Sequence, residues 1–524
     1  MAAATLALLG WGVGRPAFWL DEAASVVATE RSWPNLWRLL HGPDAPLVPY
    51  YAVLKVFTTI TGNLVPHLVS NPEVLFRVPS VLAVVLAGGA LINWLRPFGP
   101  PRLLFGTGAM FLLIGGVSRY GQEARGYAIT LLLAVLSTIV WSRLVRDRRP
   151  RWMIGYALLV AALAVMQTLA ASLVVAHLVA AVVTARPGER RSPVVRTMTG
   201  AAAGLLAAVP LALDAIRYGR GATGYPTLTA RHFVSEFLRL FTLTHNVWLG
   251  SGPFLLLTAL GLTQVFRSEY RFLARLSASW ALVPPAVLLP AVLVRPNLLI
   301  GRYLMFVVPA WAILAGLGIV TVMDRAVAAP PAWFRPRTRR RAPTLAWSIA
   351  AIMVVAATVA QLSTLESVRG RAGHGEDIRP ALTEADRPAY RQLPIVITSG
   401  LKATELEVYD PADDSRVANL ATQENQTAVW PSRVSGKARS RAVRESFILL
   451  RRGATGLLPC DQVGKLTSDP AVATCLGVTW LKQPYQVVAA EPGGQDWSFT
   501  VLRRVKSTAD RRPPIPGPVA SLKL

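Results

Sequence analysis

Apolar runs close to the length of a membrane span recur along this chain and limit what it can fold into. They fall at about 1–14, 78–95, 103–118, 126–142, 152–168, 170–185, 197–214, 252–266, 276–294, 303–323 and 343–362. A helix of roughly 20 apolar residues spans the ~30 Å hydrocarbon core of a bilayer. Inside lipid a helix satisfies its own backbone groups, so these runs predict an all-α polytopic membrane domain of about 11 transmembrane helices. The stretch from Trp152 to Arg186 must be two short helices with a turn near Gln167-Thr168, because one helix of that length would run to about 50 Å. The first run covers only roughly 21 Å and no basic residue precedes it. A truncated start suits it better than a cleaved signal peptide.

Charge sets the orientation. The formal charge is +26, from 55 Lys+Arg against 29 Asp+Glu. A balance this basic can mark a nucleic-acid partner. Here the arginines collect in alternate loops instead, and no nucleic acid is expected. Arg143 to Arg151, Arg186 to Arg196, Arg267 to Arg275 and Arg335 to Arg341 share one side, which the positive-inside rule makes the cytoplasm. The loops 15–77, 118–126, 216–251, 295–302 and everything after about 363 then face outward. The expectation is a multi-pass plasma-membrane protein with a cytoplasmic N-terminus.

Three regions follow: a transmembrane domain over 1–362 with a long interfacial first outer loop (15–77), a small extracytoplasmic α/β domain over 363–505, and a disordered Pro/Arg-rich tail over 506–524. The first outer loop carries two amphipathic, aromatic-rich pieces, one from Asp21 to about Leu40 with a restart at Ser32-Trp33-Pro34, the other from near Asp44. Strand-like runs appear at Pro394–Thr398, Phe447–Leu450, Val478–Leu481 and Ser498–Leu502. Cys460 and Cys475, the two cysteines, both fall in this outer domain, and an oxidising compartment makes a disulfide the default.

Four polar clusters lie at outer helix ends. Asp21-Glu22 follows the first apolar run; the pair suits a general base at the membrane surface, or the acidic first turn of a solvated helix. Neighbouring helical residues point about 100° apart, so one carboxylate can face a substrate while the other holds a different partner. His41-Gly42-Pro43-Asp44 leads into Tyr50-Tyr51, with Asp44 placed to act on substrate or as an N-cap. Ser118-Arg119-Tyr120-Gly121-Gln122-Glu123-Ala124-Arg125-Gly126-Tyr127 is a polar turn that a Glu–Arg ion pair could brace. Arg295-Pro296-Asn297 and Gly301-Arg302-Tyr303 form the fourth; its arginines could also snorkel toward lipid headgroups. Carboxylates and arginines on one side of a membrane suit attack on a sugar carried by a lipid phosphate. The carboxylate takes the acceptor proton, and arginine stabilises charge on the departing phosphate.

As an ordered set, Asp21-Glu22, Asp44 through Tyr50-Tyr51, Phe76-Arg77-Val78-Pro79-Ser80, Ser118 through Arg125 and Arg302-Tyr303-Leu304 resemble the integral-membrane glycosyltransferases of the GT-C fold. The resemblance covers about residues 15–320. It is to the group of protein O-mannosyltransferases and the lipid A aminoarabinose transferase, nearest the actinobacterial mannosyltransferase-like branch. It implies inverting transfer of a sugar, mannose by family default, from a polyprenyl-phosphate donor to an extracytoplasmic glycan, lipoglycan or protein acceptor. It also implies that Asp21 is the base and that Glu22 and Asp44 shape the acceptor or metal site. Arg302 and Tyr303, with Arg119, Glu123, Arg125, Tyr50 and Tyr51, hold the lipid phosphate and sugar. Metal use varies across that fold and the chain has no His-rich ligand set, so a divalent metal stays open as a cofactor. Relatives often carry a His-Pro-Pro-Leu-Tyr-Tyr-like run where this chain reads Asp44-Ala45-Pro46-Leu47-Val48-Pro49-Tyr50-Tyr51, which leaves the role of Asp44 open. The alternatives are a transporter or flippase for a glycolipid and an inactive glycan-binding scaffold. A transporter places its ionisable residues mid-span, whereas here only Gln167 and His177 stand there.

Overall fold

In a computed structural model, residues 1–64, 71–147, 149–186, 188–218, 230–243, 246–267, 269–294, 301–328, 348, 364–371, 373–374, 377–397, 408–409, 446–452, 459–476, 478–479, 481, 483–492 and 497–505 are described. Almost all of the expected span 343–362, the Arg295-Pro296-Asn297 cluster, the arginine run 335–341 and the tail 506–524 lie outside them. The chain forms two compact units, Met1–Val13 with Leu40–Val368, and Gly14–Leu39 with Arg369–Leu524.

The helices run in order α1 (Ala2–Gly10), α2 (Leu20–Glu30), α3 (Trp33–Arg38), α4 (Val48–Leu64), α5 (Pro72–Leu95), α6 (Pro101–Leu113), α7 (Gly115–Tyr120) and α8 (Tyr127–Arg146). They continue with α9 (Pro150–Met166), α10 (Leu173–Thr184), α11 (Arg191–Tyr218), α12 (Ala230–Leu238), α13 (Val247–Leu262), α14 (Arg271–Val294) and α15 (Val308–Ala328). Each expected span from 1–14 to 303–323 contains a helix, although 103–118 is broken between α6 and α7 at Ile114 and 303–323 becomes α-helical only at Val308. The turn expected near Gln167 is present: α9 ends at Met166, and a 3-10 turn over Thr168–Ser172 leads into α10.

This is a membrane protein. Pro72–Phe98, Tyr127–Arg146, Arg191–Tyr218, Arg271–Pro290 and Gly301–Arg325 are long and apolar enough to cross a bilayer, and four further apolar helices are shorter. Leu158, Leu206, Leu213 and Leu256 leave most of their side chains uncovered, a pattern that lipid tolerates and water does not. The last of the long spans is the most enclosed, with 94% of its apolar window buried against 22% for Arg191–Tyr218. Glycine makes that enclosure possible. A Cβ on Gly318 of α15 would overlap the Leu257 carbonyl of α13, and one on Gly261 would overlap the Leu314 carbonyl. Small residues let helix backbones approach where lipid supplies no hydrophobic drive.

Helix ends need partners for their last carbonyls. Arg196 Nη1 donates to the Leu144 carbonyl at the end of α8 (3.0 Å), and Arg275 Nη1 to the Val183 carbonyl at the end of α10 (2.6 Å). Between helices, Trp141 donates to Thr197 Oγ1 (3.0 Å), and His177 bridges Thr138 Oγ1 (3.1 Å) and the Tyr156 hydroxyl (3.0 Å).

The second unit contains a four-stranded mixed sheet of order β1-β2-β4-β3, from β1 (Ile395–Ile397), β2 (Ser446–Arg452), β3 (Tyr485–Pro492) and β4 (Trp497–Arg504). β1 runs parallel to β2 with Ile395 opposite Ile448; β4 pairs antiparallel with β2 and β3. Side chains alternate between faces. Phe447, Leu449, Val487 and Leu502 pack with Val472 and Leu476 of α17 (Pro470–Leu476). Ile448, Leu450, Phe499 and Val501 pack with Ala381 and Leu382 of α16 (Arg379–Ala385). The strand expected at Val478–Leu481 is absent among the described residues there: Val478 and Leu481 form turns (Val478 N–H to the Ala473 carbonyl, 2.9 Å; Leu481 N–H to the Val478 carbonyl, 3.0 Å). The strand lies at Tyr485–Pro492, where two alanines and a bulge between Val487 and Ala489 blur the apolar alternation.

Cys460 and Cys475 are joined by a disulfide. Beside it, Arg451 donates to Asp461 (2.6 Å) and to the Cys475 carbonyl (2.7 Å), while Thr500 donates to the other Asp461 oxygen (3.2 Å).

Two stability measurements test this packing. Gly318→Val should cost the membrane unit about 1–3 kcal/mol or more, seen as a lower thermal midpoint in detergent. Cys475→Ser should cost the second unit about 3 kcal/mol for a loop of this length, seen as earlier loss of near-ultraviolet circular dichroism on heating.

Candidate active site

In the second unit, the acidic pair opens α2. Trp19 occupies the N-cap position, so Asp21 and Glu22 fall in the first turn, where the helix dipole favours negative charge. Their surroundings differ. Asp21 is half-buried, whereas Glu22 is fully buried, as are Ala23 through Thr29 behind it. The solvated surface helix is therefore excluded for Glu22. Its carboxylate accepts a hydrogen bond from His374 Nδ1 at 3.0 Å, and both side chains are withdrawn from solvent. The restart expected near Ser32 is present: α2 ends at Glu30, and α3 begins at Trp33 with Pro34 in its first turn.

In the first unit, Asp44 stands at the N-cap position of a 3-10 turn over Ala45–Leu47, but its side chain makes no cap bond. It is nevertheless buried, so simple capping does not account for it. The turn leads directly into α4, which places Tyr50 and Tyr51 in the interior.

The polar turn after α6 holds the densest cluster. The Arg119 guanidinium pairs with the buried Glu123 carboxylate at 3.2 Å, so the bracing ion pair forms. Ser80, three residues beyond Arg77 on α5, donates to the Glu123 carbonyl (2.6 Å) and the Arg125 carbonyl (3.3 Å). Gln122 donates its side-chain amide to the Leu9 and Trp11 carbonyls, and Arg77 Nη1 donates to the Val13 carbonyl (2.8 Å). The turn is thereby fixed to α5 and to the end of α1. Gly126 faces Tyr50, whose atoms lie 3.6 Å from where a glycine Cβ would stand.

Arg302 reaches the same cluster from a 3-10 segment over Gly301–Val307. Its guanidinium lies 5.8 Å from the centre of the Tyr127 ring, within cation–π range. Tyr127 in turn meets Tyr120 edge-on (6.0 Å) and Tyr303 at a tilt (6.0 Å). Gln167, in the break between α9 and α10, donates to the Tyr303 carbonyl (2.7 Å). The approach depends on Gly301, because a Cβ there would collide with the Glu236 carbonyl. Burial, then the Glu123 carboxylate, push the Tyr120 hydroxyl up to about 12, while Arg302 and Arg119 pull it down. Tyr120 therefore stays a neutral donor at physiological pH, within the fields of both arginines.

The structure thus brings together Arg119, Glu123, Arg125, Tyr50, Arg302 and Tyr303, with Tyr51 beside Tyr50. It adds Tyr120, Tyr127, Gln167 and Glu236 around them. Reading the sequence missed Glu236, which carries no motif, and His374, which is 352 positions from its partner. An apolar cavity of about 570 Å³ is lined by α1, α5 and α6, among them Leu8, Ile92 and Phe105, and borders Gly115 and Ser118 of the same turn. No three His, Cys, Asp or Glu side chains among the described residues converge as metal ligands.

Solved structures of similar fold are known. The structure of ArnT from Cupriavidus metallidurans bound to undecaprenyl phosphate matches 96% of this chain and 97% of its own, at 14% identity and a TM-score of 0.52. The fold is that of the GT-C glycosyltransferases. The apo structure of the same ArnT matches 95% of this chain and 96% of its own (16% identity, TM-score 0.48). Archaeal oligosaccharyltransferase AglB from Archaeoglobus fulgidus, in complex with an inhibitory peptide and a dolichol-phosphate, matches 94% of this chain and 75% of its own (11% identity, TM-score 0.45). No family model and no curated protein matches the sequence. The GT-C fold is thus carried here by architecture at low sequence identity.

The Arg119–Glu123 pair gives a direct test of the cluster. Glu123→Gln removes a charged acceptor that is buried, and should cost about 1.5–3 kcal/mol, read as a lower thermal midpoint of the solubilised protein.

Proposed function

We propose that this protein is an inverting glycosyltransferase that moves a sugar from a polyprenyl phosphate to an extracytoplasmic glycan, lipoglycan or protein. One observation carries the reading: the GT-C fold extends over nearly the whole of both chains in the match to ArnT bound to undecaprenyl phosphate. The carboxylate pair and the arginine–tyrosine cluster support it.

Asp21 is the base in this reading. It removes the proton from the acceptor hydroxyl as that oxygen bonds to the sugar anomeric carbon. The bond from that carbon to the phosphate oxygen breaks in the same displacement, on the opposite face, and configuration inverts. The polyprenyl phosphate leaves with the electron pair. Arg302 stabilises that developing charge, and its planar fork suits a phosphate better than a lysine would. Arg119 and Arg125 add positive potential, while Glu123 fixes Arg119. Tyr303, Tyr50 and Tyr51 shape the sugar and acceptor subsites with Asp44. The apolar cavity bordering Ser118 fits a stretch of prenyl chain. Mannose is the first donor sugar to test.

In the same reading the shorter apolar helices complete about eleven crossings. Arginine-rich loops face the cytoplasm and the second unit faces outward.

Membranes holding the wild-type protein should transfer label from a panel of polyprenyl-phosphate sugars. Asp21→Asn should lower transfer at least about 100-fold at equal protein level. Arg302→Lys should lower it about 10-fold or more, mainly by losing bidentate phosphate contact. Transfer that survives Asp21→Asn unchanged would remove Asp21 from the base role. Flux of intact glycolipid without transfer would replace the transferase by a flippase.

A further inference from the structure

We propose that His374 is the positioning residue of the carboxylate pair, holding α2 from within the second unit. The inference rests on the transferase reading above. Its structural basis is one buried contact and the bonds around it.

Glu22 sits on a face of α2 that is otherwise Ala, Ser, Val and Thr, and it is fully buried. A carboxylate in such a place requires a hydrogen-bonding partner. His374 provides one, with Nδ1 3.0 Å from Glu22 Oε2. The approach to α2 is fastened by the same part of the chain. Ala17 N–H donates to the Arg371 carbonyl (2.8 Å), and Phe18 N–H to the Tyr409 hydroxyl (2.7 Å). Arg379, held by Asp377 (2.8 Å), donates to the Arg15 carbonyl (3.1 Å) and stacks over the Tyr409 ring (5.8 Å). Arg15, Ala17, Phe18 and Glu22 are therefore each bonded to Arg379, Arg371, Tyr409 or His374.

The consequence for Asp21 is geometric. Adjacent helical side chains diverge by about 100°. Once His374 turns Glu22 inward, rotation of α2 about its axis is fixed. Asp21, itself half-buried at the first turn, then keeps a direction of its own in which an acceptor hydroxyl can reach it. Without the bond the buried carboxylate seeks solvent, and the rotation that brings it there swings Asp21 away.

The test compares His374→Leu and His374→Asn in the full-length protein, with the sugar donor found for wild type. Leucine fills the space but offers no donor. Asparagine places an amide N–H near the position of Nδ1. His374→Leu should lower kcat about 10- to 100-fold, with KM for the donor unchanged within about twofold, because the phosphate contacts are elsewhere. His374→Asn should recover most of the loss. Backbone hydrogen exchange over residues 20–30 should rise in the leucine variant and return toward wild type in the asparagine variant. A leucine variant with wild-type kcat, or with wild-type exchange over 20–30, overturns the proposal. So does a leucine variant whose loss the asparagine does not reverse. If wild type transfers no sugar from any donor, the transferase reading fails by itself, and the exchange measurement still decides whether His374 holds α2.

Discussion

Hydrocarbon offers no hydrogen-bond partner, and the first unit is organised around that fact. Helices satisfy their own backbone groups except at their ends. There the ends of α1, α8 and α10 are met by side chains from elsewhere in the unit: Gln122, Arg196 and Arg275. Polar side chains between helices are matched in the same way, as with Trp141 and Thr197 or Trp94 and Ser142. His177, one of the few polar residues expected mid-span, belongs to this set. It lies stacked on Trp141 (5.1 Å) and bonded to Thr138 and Tyr156. Arg302 is different in kind. It lies over an aromatic ring near a helix terminus, at a cluster with more charge than backbone satisfaction calls for.

The same rule acts in the second unit at Glu22. Burying a carboxylate is unfavourable by several kcal/mol unless it is paired. His374 meets that cost at Glu22 and Arg451 meets it at Asp461. The Arg451–Asp461 pair sits within a sheet already closed by a disulfide and by packing on both faces. The Glu22–His374 pair instead joins two segments that share no strand pairing. That contrast makes the second pair a determinant of orientation.

Much of the helical framework was legible because lipid enforces a single length scale. A run long enough to span reads as a helix whatever its neighbours, and even the break at Gln167 followed from length alone. The polar turn at 118–127 was legible because charged residues there have few reasons to interrupt apolar sequence. The sheet was harder. Ile395–Ile397, Ser446–Arg452 and Trp497–Arg504 showed as apolar runs, but Tyr485–Pro492 did not, since a bulge and small residues dilute its alternation. Val478 misled because a turn buried against α17 can be as apolar as a strand. The division of 15–77 between the two units was not legible at all. Nothing local in Gly14–Leu39 says that its partners lie in Arg369–Leu524, because its bonds reach residues far along the chain, 391 positions away at Tyr409 and 352 at His374.

Stability does not explain why Glu22 and His374 are ionisable. A well-packed apolar pair of similar volume holds two segments together as well or better, often by about 1–4 kcal/mol. The buried Ala23, Ala24, Val26, Val27 and Ala28 show that α2 accepts such packing. An apolar contact acts on rotation about the helix axis only through the shape of its packing. A hydrogen bond between one ring nitrogen and one carboxylate oxygen is directional, and weakens steeply once misaligned. Residues that act by proton transfer must sit within hydrogen-bond reach of a moving target, and misplacement by about 1 Å can cost two orders of magnitude in rate. In the transferase reading proposed above, a directional contact one residue from Asp21 therefore bears on how α2 presents that carboxylate.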